Sequence, residues 1–210
     1  MIAIIDYGMG NLRSVHKAVE QVGDEAKIIS DPQGIKDAAK IILPGVGAFR
    51  DCMHNLAGRG LLEPLVAAIA AGKPFLGICL GLQLLFDESD EFGTHRGMGV
   101  LPGKVTRFPD AIKDPQDAAS LPIPHMGWNT IEIKKDTPLF AGIEDGSYFY
   151  FVHSYYAIPA DPTDIVATTP YGIGFACAVQ RANIYAVQFH PEKSQEKGLQ
   201  LLQNFGKLKG

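Results

Sequence analysis

The chain has 210 residues, of which 46% are apolar and 20% are charged, and this composition is typical of a folded protein rather than a disordered or low-complexity one. The formal net charge is -4, so there is no basic surplus to neutralise a phosphate backbone, and binding to nucleic acid is disfavoured. Three cysteines in a chain of this length indicate reduced thiols rather than a disulfide framework. The length predicts a single domain over residues 1–210.

The first half of the chain alternates short apolar runs with helical patterns. Strands are predicted at residues 2–5, 25–30, 41–43 and 74–78. Helices are predicted after the N-cap residue Asn11 and at residues 48–56, 61–71 and 80–88. Continuous apolar strands between helices indicate a parallel sheet that is covered on both faces.

The second half of the chain is richer in aromatic residues. We predict a strand at 148–156, an antiparallel pair at 173–179 and 184–189, and a final helix that contains Leu199 and Phe205. Residues 109–124 contain four prolines and are expected to form an irregular surface excursion. The fold class expected from both halves is α/β, with an open mixed, mostly parallel sheet flanked by helices.

Neither an export signal nor a membrane segment is expected. The first apolar run has no basic lead and is followed at once by Asp6, which favours a first strand over a signal peptide. The longest uncharged apolar stretch covers residues 75–86 and is shorter than the roughly 20 residues that span a bilayer. We therefore expect a cytoplasmic protein.

Two glycine-rich turns follow predicted strands, Gly8-Met-Gly10 and Gly45-Val-Gly47. A dinucleotide fingerprint would need a third glycine where Arg13 and Arg50 stand, and the stretch Gly72-Lys-Pro74 lacks the Ser or Thr of a P-loop. A nucleotide site is therefore disfavoured. Two interpretations remain, namely tight strand-to-helix turns and exposed backbone N–H groups that bind an oxyanion.

The most informative local motif is Gly77-Ile-Cys79-Leu-Gly81, which has the form of a nucleophile elbow between a strand and a helix. A helix that starts at Leu80 would direct its free N–H groups at the sulfur and favour the thiolate. The alternative is that Cys79 is one more buried apolar cysteine. Gln83 lies one helical turn further on the same face and could reach a ligand at the sulfur. Cys52 and Cys177 lack such a setting and are expected to be packing residues.

A histidine base and an acid that orients it are expected near the C-terminus. His190 ends a predicted strand, and Glu192 follows two residues later, so an extended backbone would point both side chains to one side. His153 is a rival base without an acid at short range, and His125 lies in a predicted loop. The Cys and His residues lack the spacing of a metal site, so no metal is expected.

Six motifs together resemble the class I, or triad, glutamine amidotransferases, and within that family they resemble the glutaminase subunits of imidazole glycerol phosphate synthases. They span nearly the whole chain in the expected order. They are Asp6-Tyr-Gly-Met-Gly-Asn11, Leu43-Pro-Gly-Val-Gly-Ala-Phe49, Gly77-Ile-Cys-Leu-Gly-Leu-Gln-Leu-Leu-Phe86, Pro124-His-Met-Gly-Trp-Asn129, Tyr150-Phe-Val-His-Ser-Tyr155 and Gln188-Phe-His-Pro-Glu-Lys-Ser194. Residues 108–124 look longer than expected for the family.

The resemblance implies that the chain hydrolyses L-glutamine without a cofactor. Cys79 would attack the side-chain carboxamide, His190 would deliver a proton to the departing ammonia, and Glu192 would orient His190. The remaining implied residues are backbone donors to the oxyanion and contacts to the substrate: Val46, Gly47 and Leu80 for the oxyanion, and Gly45, Gln83, Ser154 and Tyr155 for glutamine.

The resemblance also implies a protein partner, a cyclase subunit with a (β/α)₈ barrel that uses the ammonia and forms a heterodimer with this chain. The positions that match the family's interface are Asn11, His125, Trp128, Tyr150 and Lys193. Each of these residues could equally be an ordinary cap, loop or surface residue. Two other interpretations of the chain are a stand-alone γ-glutamyl hydrolase or peptidase on the same fold, and a non-enzymatic binding subunit.

Overall fold

The architecture is that of an α/β protein in a computed structural model that describes residues 1–114 and 118–209. The strands are β1 (Ile2–Ile5), β2 (Ala26–Ile29), β3 (Lys40–Gly45), β4 (Phe75–Cys79), β5 (Phe86–Ser89), β6 (His95–Arg96), β7 (Leu101–Arg107), β8 (His125–Thr130), β9 (Glu132–Ile133), β10 (Tyr148–His153), β11 (Tyr155–Pro159), β12 (Ile165–Tyr171), β13 (Ile173–Arg181) and β14 (Ile184–Val187). The helices are α1 (Leu12–Gln21), α2 (Pro32–Asp37), α3 (Phe49–Gly58), α4 (Leu62–Ala70), α5 (Leu80–Gln83) and α6 (Gln195–Lys207).

The main sheet has the order β2-β1-β3-β4-β14-β13-β11-β7-β5-β6, and β12 and β9 join it beside β13. The first five strands in this order are all parallel to one another. The fifth of them, β14, also forms an antiparallel hairpin with β13, where the antiparallel part of the sheet begins. Two separate apolar clusters, one on each side of the sheet, bury the strands against the helices. The prediction of an open mixed, mostly parallel sheet flanked by helices is confirmed, and the five adjacent parallel strands form one half of the strand order.

A second, two-stranded sheet pairs β8 with β10 in antiparallel register. Trp128 faces Tyr150 and His125 faces His153 across this pair. The chain leaves β10 at Ser154 and enters the main sheet as β11, which pairs with β7 and β13. The single strand predicted at 148–156 is therefore wrong, and Ser154 marks the change from one sheet to the other.

The helix predicted at 80–88 is also wrong in its length. Helix α5 ends at Gln83, and the chain continues as strand β5. Leu84, Leu85 and Phe86 are all fully buried, so the apolar residues cannot lie on one face of a helix. Strand β5 instead pairs with β7, which the sequence patterns did not indicate. The short helix α2 was missed as well, although Asp31 accepts a hydrogen bond from the Gly34 N–H at 2.9 Å as an N-cap does.

Residues 109–124 are not wholly a surface excursion. Ile112 is buried in one of the two apolar clusters together with Phe108, which directly precedes the segment, and residues 115–117 lie outside the described part of the chain. Tyr171 donates a hydrogen bond to the Pro122 carbonyl at 2.6 Å and ties the end of the segment to β12. The prolines therefore indicated irregular backbone correctly but gave no information on burial.

Candidate active site

Cys79 is the last residue of β4 and stands on a sharp turn into α5. Its φ of 56° lies in the left-handed region, which a non-glycine residue adopts only when the surrounding structure holds it there. The flanking glycines allow the turn, because a Cβ at Gly77 would lie 2.6 Å from the Gly81 carbonyl oxygen and a Cβ at Gly81 would lie 1.9 Å from the Leu43 oxygen. The backbone here therefore has the geometry that the elbow motif predicts.

Replacement of Gly81 by alanine should unfold or strongly destabilise the protein. The new methyl group would overlap the backbone of β3, which cannot move without disrupting the parallel sheet, so we expect a loss of about 3 kcal/mol or more in the free energy of unfolding. Urea denaturation measures this loss. Gly58→Ala is the matched control, because a Cβ at Gly58 meets no atom within 4 Å and should leave stability unchanged or slightly higher. Equal stability of the two variants would contradict the close approach at the elbow.

His190 and Glu192 form a buried pair beside the elbow. The Nδ1 atom of His190 lies 2.8 Å from Glu192 Oε1, and both side chains are almost completely buried. Glu192 belongs to a short 3₁₀ turn, Pro191–Lys193, rather than to an extended strand, so the contact predicted for an extended chain is made by a different backbone path. The chain is held in place at Tyr150, whose carbonyl accepts the His190 N–H at 2.9 Å.

The electrostatics of His190 link it to Cys79. Burial alone would lower the pKa of His190, but the interactions with the Cys79 thiol and with the Glu192 carboxylate outweigh it and raise that pKa to about 10. Its Nε2 atom is buried and has no hydrogen-bond partner among residues 1–114 and 118–209. A histidine with one ring nitrogen held by an acid and the other free is arranged for proton transfer at a neighbouring thiol.

A cavity of about 610 Å³ lies in front of Cys79 and His190. This volume is within the range of sites for small ligands. The sequence-predicted site residues that line the cavity are Val46, Gly47, Cys79, Leu80, Gln83, Ser154, Tyr155, His190 and Lys193. Gly45 lies behind the wall, where a Cβ would come within 2.9 Å of Leu80, and Glu192 lies behind His190. The structure therefore brings together residues from distant parts of the sequence.

Gln83 is held at the wall of the cavity by two hydrogen bonds. Its Nε2 atom donates to the Tyr155 carbonyl at 2.9 Å and to Oε1 of Gln188 at 3.0 Å. Gln188 is buried, and its own Nε2 atom lies 3.7 Å from the Cys79 sulfur. Gln188 lies within one of the six motifs, but its contact with the sulfur was not predicted from the sequence. The signal was its position two residues before His190 at the end of β14, which places both at the same edge of the sheet.

Two charged residues in the cavity wall were also missed. Glu91 accepts a hydrogen bond from the Phe49 N–H at 2.5 Å, and burial raises the pKa of its carboxyl group. Arg107 lies at the end of β7 and forms an ion pair with Asp110. Neither belongs to a local motif, so only the pairing of β5 with β7 brings them to the site.

His153 does not have the environment of a catalytic base. Its Nδ1 atom lies 2.8 Å from the Tyr155 carbonyl, and its Nε2 atom lies 3.0 Å from Nδ1 of His125. Burial lowers the pKa of His153 to about 3 and that of His125 to about 4, so both rings are neutral near pH 7. Both ring nitrogens of His153 are already engaged, which leaves His190 as the better candidate for the base.

The neutral histidine pair should make the protein labile to acid. Below pH 6.5 the unfolded chain binds protons at His125 and His153 that the native protein does not bind, so stability falls as the pH decreases from about 6.5 towards 4. Urea unfolding gives the free energy of unfolding at pH 7.5 and at pH 5. The decrease between these two pH values should be larger for the wild type than for His153→Phe. An identical loss in both proteins would mean that His153 is protonated in the native state.

The residues predicted at a partner interface do not all lie on the surface. Trp128 and Tyr150 form an edge-to-face pair with ring centroids 6.1 Å apart, and the Lys193 ammonium lies 5.6 Å from the Tyr150 ring centre. Trp128 is 46% exposed, but His125 is only 3% exposed. His125 can therefore support this surface from behind but does not present its side chain on it. Asn11 is at the N-cap position of α1, although its side chain makes no capping hydrogen bond.

Neither a metal-binding cluster nor a membrane-spanning helix is present in residues 1–114 and 118–209. Within these ranges, His, Cys, Asp and Glu side chains form no group of three that could hold a metal ion. Over the same ranges, the structure has no helix with the length and apolar character needed to cross a bilayer. Cys52 and Cys177 are free and buried, and burial raises the pKa of their thiols to about 11 and about 12.

A mixed α/β sheet with a strained elbow cysteine beside a buried His–Glu pair is an arrangement suited to thiol-dependent hydrolysis of amides. The family model described as "Glutamine amidotransferase class-I" matches residues 3–208, and the chain belongs to that family.

The more similar relatives carry a more specific description. The chain is 53% identical over 208 residues to "Imidazole glycerol phosphate synthase subunit HisH" of Syntrophotalea carbinolica, covering 99% of this chain and 100% of that protein. It is 55% identical to the protein of the same description from Geobacter sulfurreducens, covering 99% of each. Among solved structures, "Structure of PurLQS from Thermotoga maritima" has the same fold, with a TM-score of 0.74, 20% identity, and coverage of 97% of this chain and 96% of that one.

Proposed function

We propose that this protein is the glutaminase subunit of an imidazole glycerol phosphate synthase. It hydrolyses L-glutamine to glutamate and ammonia, and a cyclase subunit uses the ammonia to form imidazole glycerol phosphate and an aminoimidazole carboxamide ribonucleotide, a step of histidine biosynthesis. The observation that carries the proposal is the meeting of Cys79 with the His190–Glu192 pair at one cavity wall. The description shared by the relatives of similar length supports the choice of synthase.

The reaction uses the triad in two stages. The Cys79 sulfur attacks the carboxamide carbon of glutamine, and His190 delivers a proton to the departing ammonia. Water, activated by the same imidazole, then hydrolyses the γ-glutamyl thioester and releases glutamate. Glu192 holds the Nδ1–H of His190 at 2.8 Å, which keeps Nε2 as the atom that exchanges protons with sulfur, ammonia and water.

The negative charge on the carbonyl oxygen is stabilised by backbone N–H groups. Leu80 begins α5 directly after the nucleophile, so its N–H is one of the free donors at the N-terminus of the helix. The turn at Val46 and Gly47 follows β3, whose residue Gly45 is the register partner of Cys79. Each donor of this kind typically contributes about 10² to 10³ in rate. Gln83, Ser154 and Tyr155 hold the amino-acid end of the substrate.

Ammonia that escapes into water is protonated and stops being a nucleophile, so the partner must cover the site during turnover. We propose that the partner is a (β/α)₈-barrel cyclase that binds over the surface of Trp128, Tyr150 and Lys193, with Asn11 at its edge. Aromatic residues in such a surface are consistent with a protein interface. Lys193 also lines the cavity, and this supports a partner that binds next to the reacting groups.

A diazoketone analogue of glutamine tests the site directly. We expect it to alkylate Cys79 alone, because Cys52 and Cys177 are buried thiols with raised pKa values and do not line the cavity. Peptide mass spectrometry locates the label, and Cys79→Ser provides the unlabelled control. Labelling of Cys52 or Cys177 in preference to Cys79 would contradict the proposed nucleophile.

The stand-alone hydrolase is separated from the proposed function by kinetics. Glutamine turnover should be slow for the isolated chain and rise strongly when the cyclase subunit and its nucleotide ligand are added. Full turnover without a partner would favour a γ-glutamyl hydrolase on the same fold.

A further inference from the structure

A chain of hydrogen bonds that passes through two buried histidines leads from strand β8 to the wall of the glutamine cavity. It begins at Asn129, whose Nδ2 atom lies 3.2 Å from Nε2 of His125. The Nδ1 atom of His125 lies 3.0 Å from Nε2 of His153, and Nδ1 of His153 lies 2.8 Å from the Tyr155 carbonyl. The same carbonyl oxygen accepts the amide of Gln83 at 2.9 Å. Neither histidine has a role in the triad mechanism.

The groups at the two ends of this hydrogen-bond chain determine which atom donates and which accepts in every bond between them. A carbonyl oxygen can only accept, so Nδ1 of His153 carries the hydrogen and Nε2 of the neutral ring accepts from His125. His125 therefore donates from Nδ1 and accepts at Nε2 from the Asn129 amide. The Asn129 side chain has its amide nitrogen on this side because Nδ2 also donates to the Pro170 carbonyl at 2.8 Å, while Oδ1 accepts the Thr130 N–H. No donor faces a donor at any step.

Aromatic rings pack against both buried histidines, and the His153 ring also lines the cavity. Tyr171 and Phe151 stack on the His125 ring with centroid distances of 4.0 Å and 4.8 Å. The centroid of the Phe108 ring lies 5.3 Å from that of His153. In such surroundings an unmet hydrogen-bonding group costs more than in water, so each neutral ring holds its neighbour in one orientation.

We propose that His125 and His153 are positioning residues for glutamine binding, which hold the Tyr155 carbonyl and, through it, the Gln83 amide and the Ser154–Tyr155 segment at the cavity wall. This rests on the proposed function, in which that segment and Gln83 hold the amino-acid end of the substrate. This hydrogen-bond chain ends at the substrate-binding wall and not at the triad. Its loss should therefore weaken glutamine binding more than it slows the chemical step.

The test is a split between KM and kcat in the assembled synthase. His153→Phe keeps the volume of the ring but removes both hydrogen bonds, and the KM for glutamine should rise about tenfold while kcat changes by less than about threefold. His153→Asn places an amide near the former Nδ1 atom, so it can still donate to the Tyr155 carbonyl and should recover most of the loss. Phe175→Leu is the control. The centroids of the Phe175 and His153 rings lie 5.2 Å apart and the two side chains share no hydrogen bond, so this variant should leave KM unchanged.

A pair of variants at His125 provides a second test that does not depend on the folding of His153→Phe. His125→Asn keeps a donor towards His153 and should have nearly the wild-type KM. His125→Gln keeps only the acceptor for Asn129 and should raise KM several-fold. An unchanged KM in both His153→Phe and His125→Gln, in a synthase whose wild type turns over glutamine, would overturn the positioning role alone. Absence of turnover in the wild type would instead refute the proposed function.

Discussion

Replacement of Cys79 by alanine should abolish synthesis from glutamine, with a residual rate at least about 10⁴-fold lower, while synthesis from ammonium salts continues at the wild-type rate. The thioester cannot form without the sulfur, so His190 and the oxyanion donors have no nucleophile to assist. The cyclase reaction needs only ammonia and is independent of how the ammonia is made. Both rates are measured on the assembled complex with saturating nucleotide substrate.

Cys52→Ala and Cys177→Ala are the matched controls for Cys79. Both thiols are buried, and neither residue lines the cavity, so their loss should leave the glutamine-dependent rate nearly unchanged apart from a small cost in stability. If Cys79→Ala also removes the ammonium-dependent rate, Cys79 has a structural role in the complex. If it leaves the glutamine-dependent rate intact, another residue is the nucleophile.

Replacement of Glu192 by glutamine should lower kcat for glutamine hydrolysis by about 10² to 10⁴. The carboxylate accepts from His190 Nδ1 at 2.8 Å in a buried site, where a neutral amide gives weaker support to the imidazolium and can present its N–H₂ group instead. Because Glu192 is one of the groups that raise the pKa of His190, the pKa of His190 should also fall towards its ordinary value. An NMR titration of the His190 ring in wild type and variant measures that fall.

The proposed role of Glu192 in orienting His190 can be contradicted by the same two measurements. A variant with normal kcat and an unchanged His190 titration would show that the acid only fills space. Glu196→Gln is a suitable control, since Glu196 lies in the first turn of α6 on the exposed side of the same segment and should change neither quantity.

The elbow and the His–Glu pair could be predicted because both depend on short stretches of sequence. Glycines on either side of Cys79 leave little choice for the backbone, and only Pro191 separates His190 from Glu192, whichever turn the backbone adopts. The alternation of apolar strands and helices likewise identified the parallel half of the sheet. Local patterns of this kind depend on residues that are close together in the sequence, so they can be interpreted before the fold is known.

The two elements that were predicted wrongly depend on residues that are distant in the sequence or on burial from every side. The helix at 80–88 was overextended because an apolar run that is buried on every side has no period that separates helix from strand. The strand at 148–156 was not divided at Ser154 because the partners β8 and β7, which pull it into two sheets, lie elsewhere in the sequence.

The sequence by itself determined the class of the chain, and it predicted the nucleophile Cys79, the base His190 and the acid Glu192. Only the tertiary structure decided that Glu91 and Arg107 line the cavity and that the buried Gln188 lies 3.7 Å from the Cys79 sulfur. It also decided that His125 is buried and that both ring nitrogens of His153 are engaged in hydrogen bonds. These residues meet through pairing between strands that are far apart along the chain, and such pairing depends on how whole faces pack together rather than on any residue's immediate neighbours.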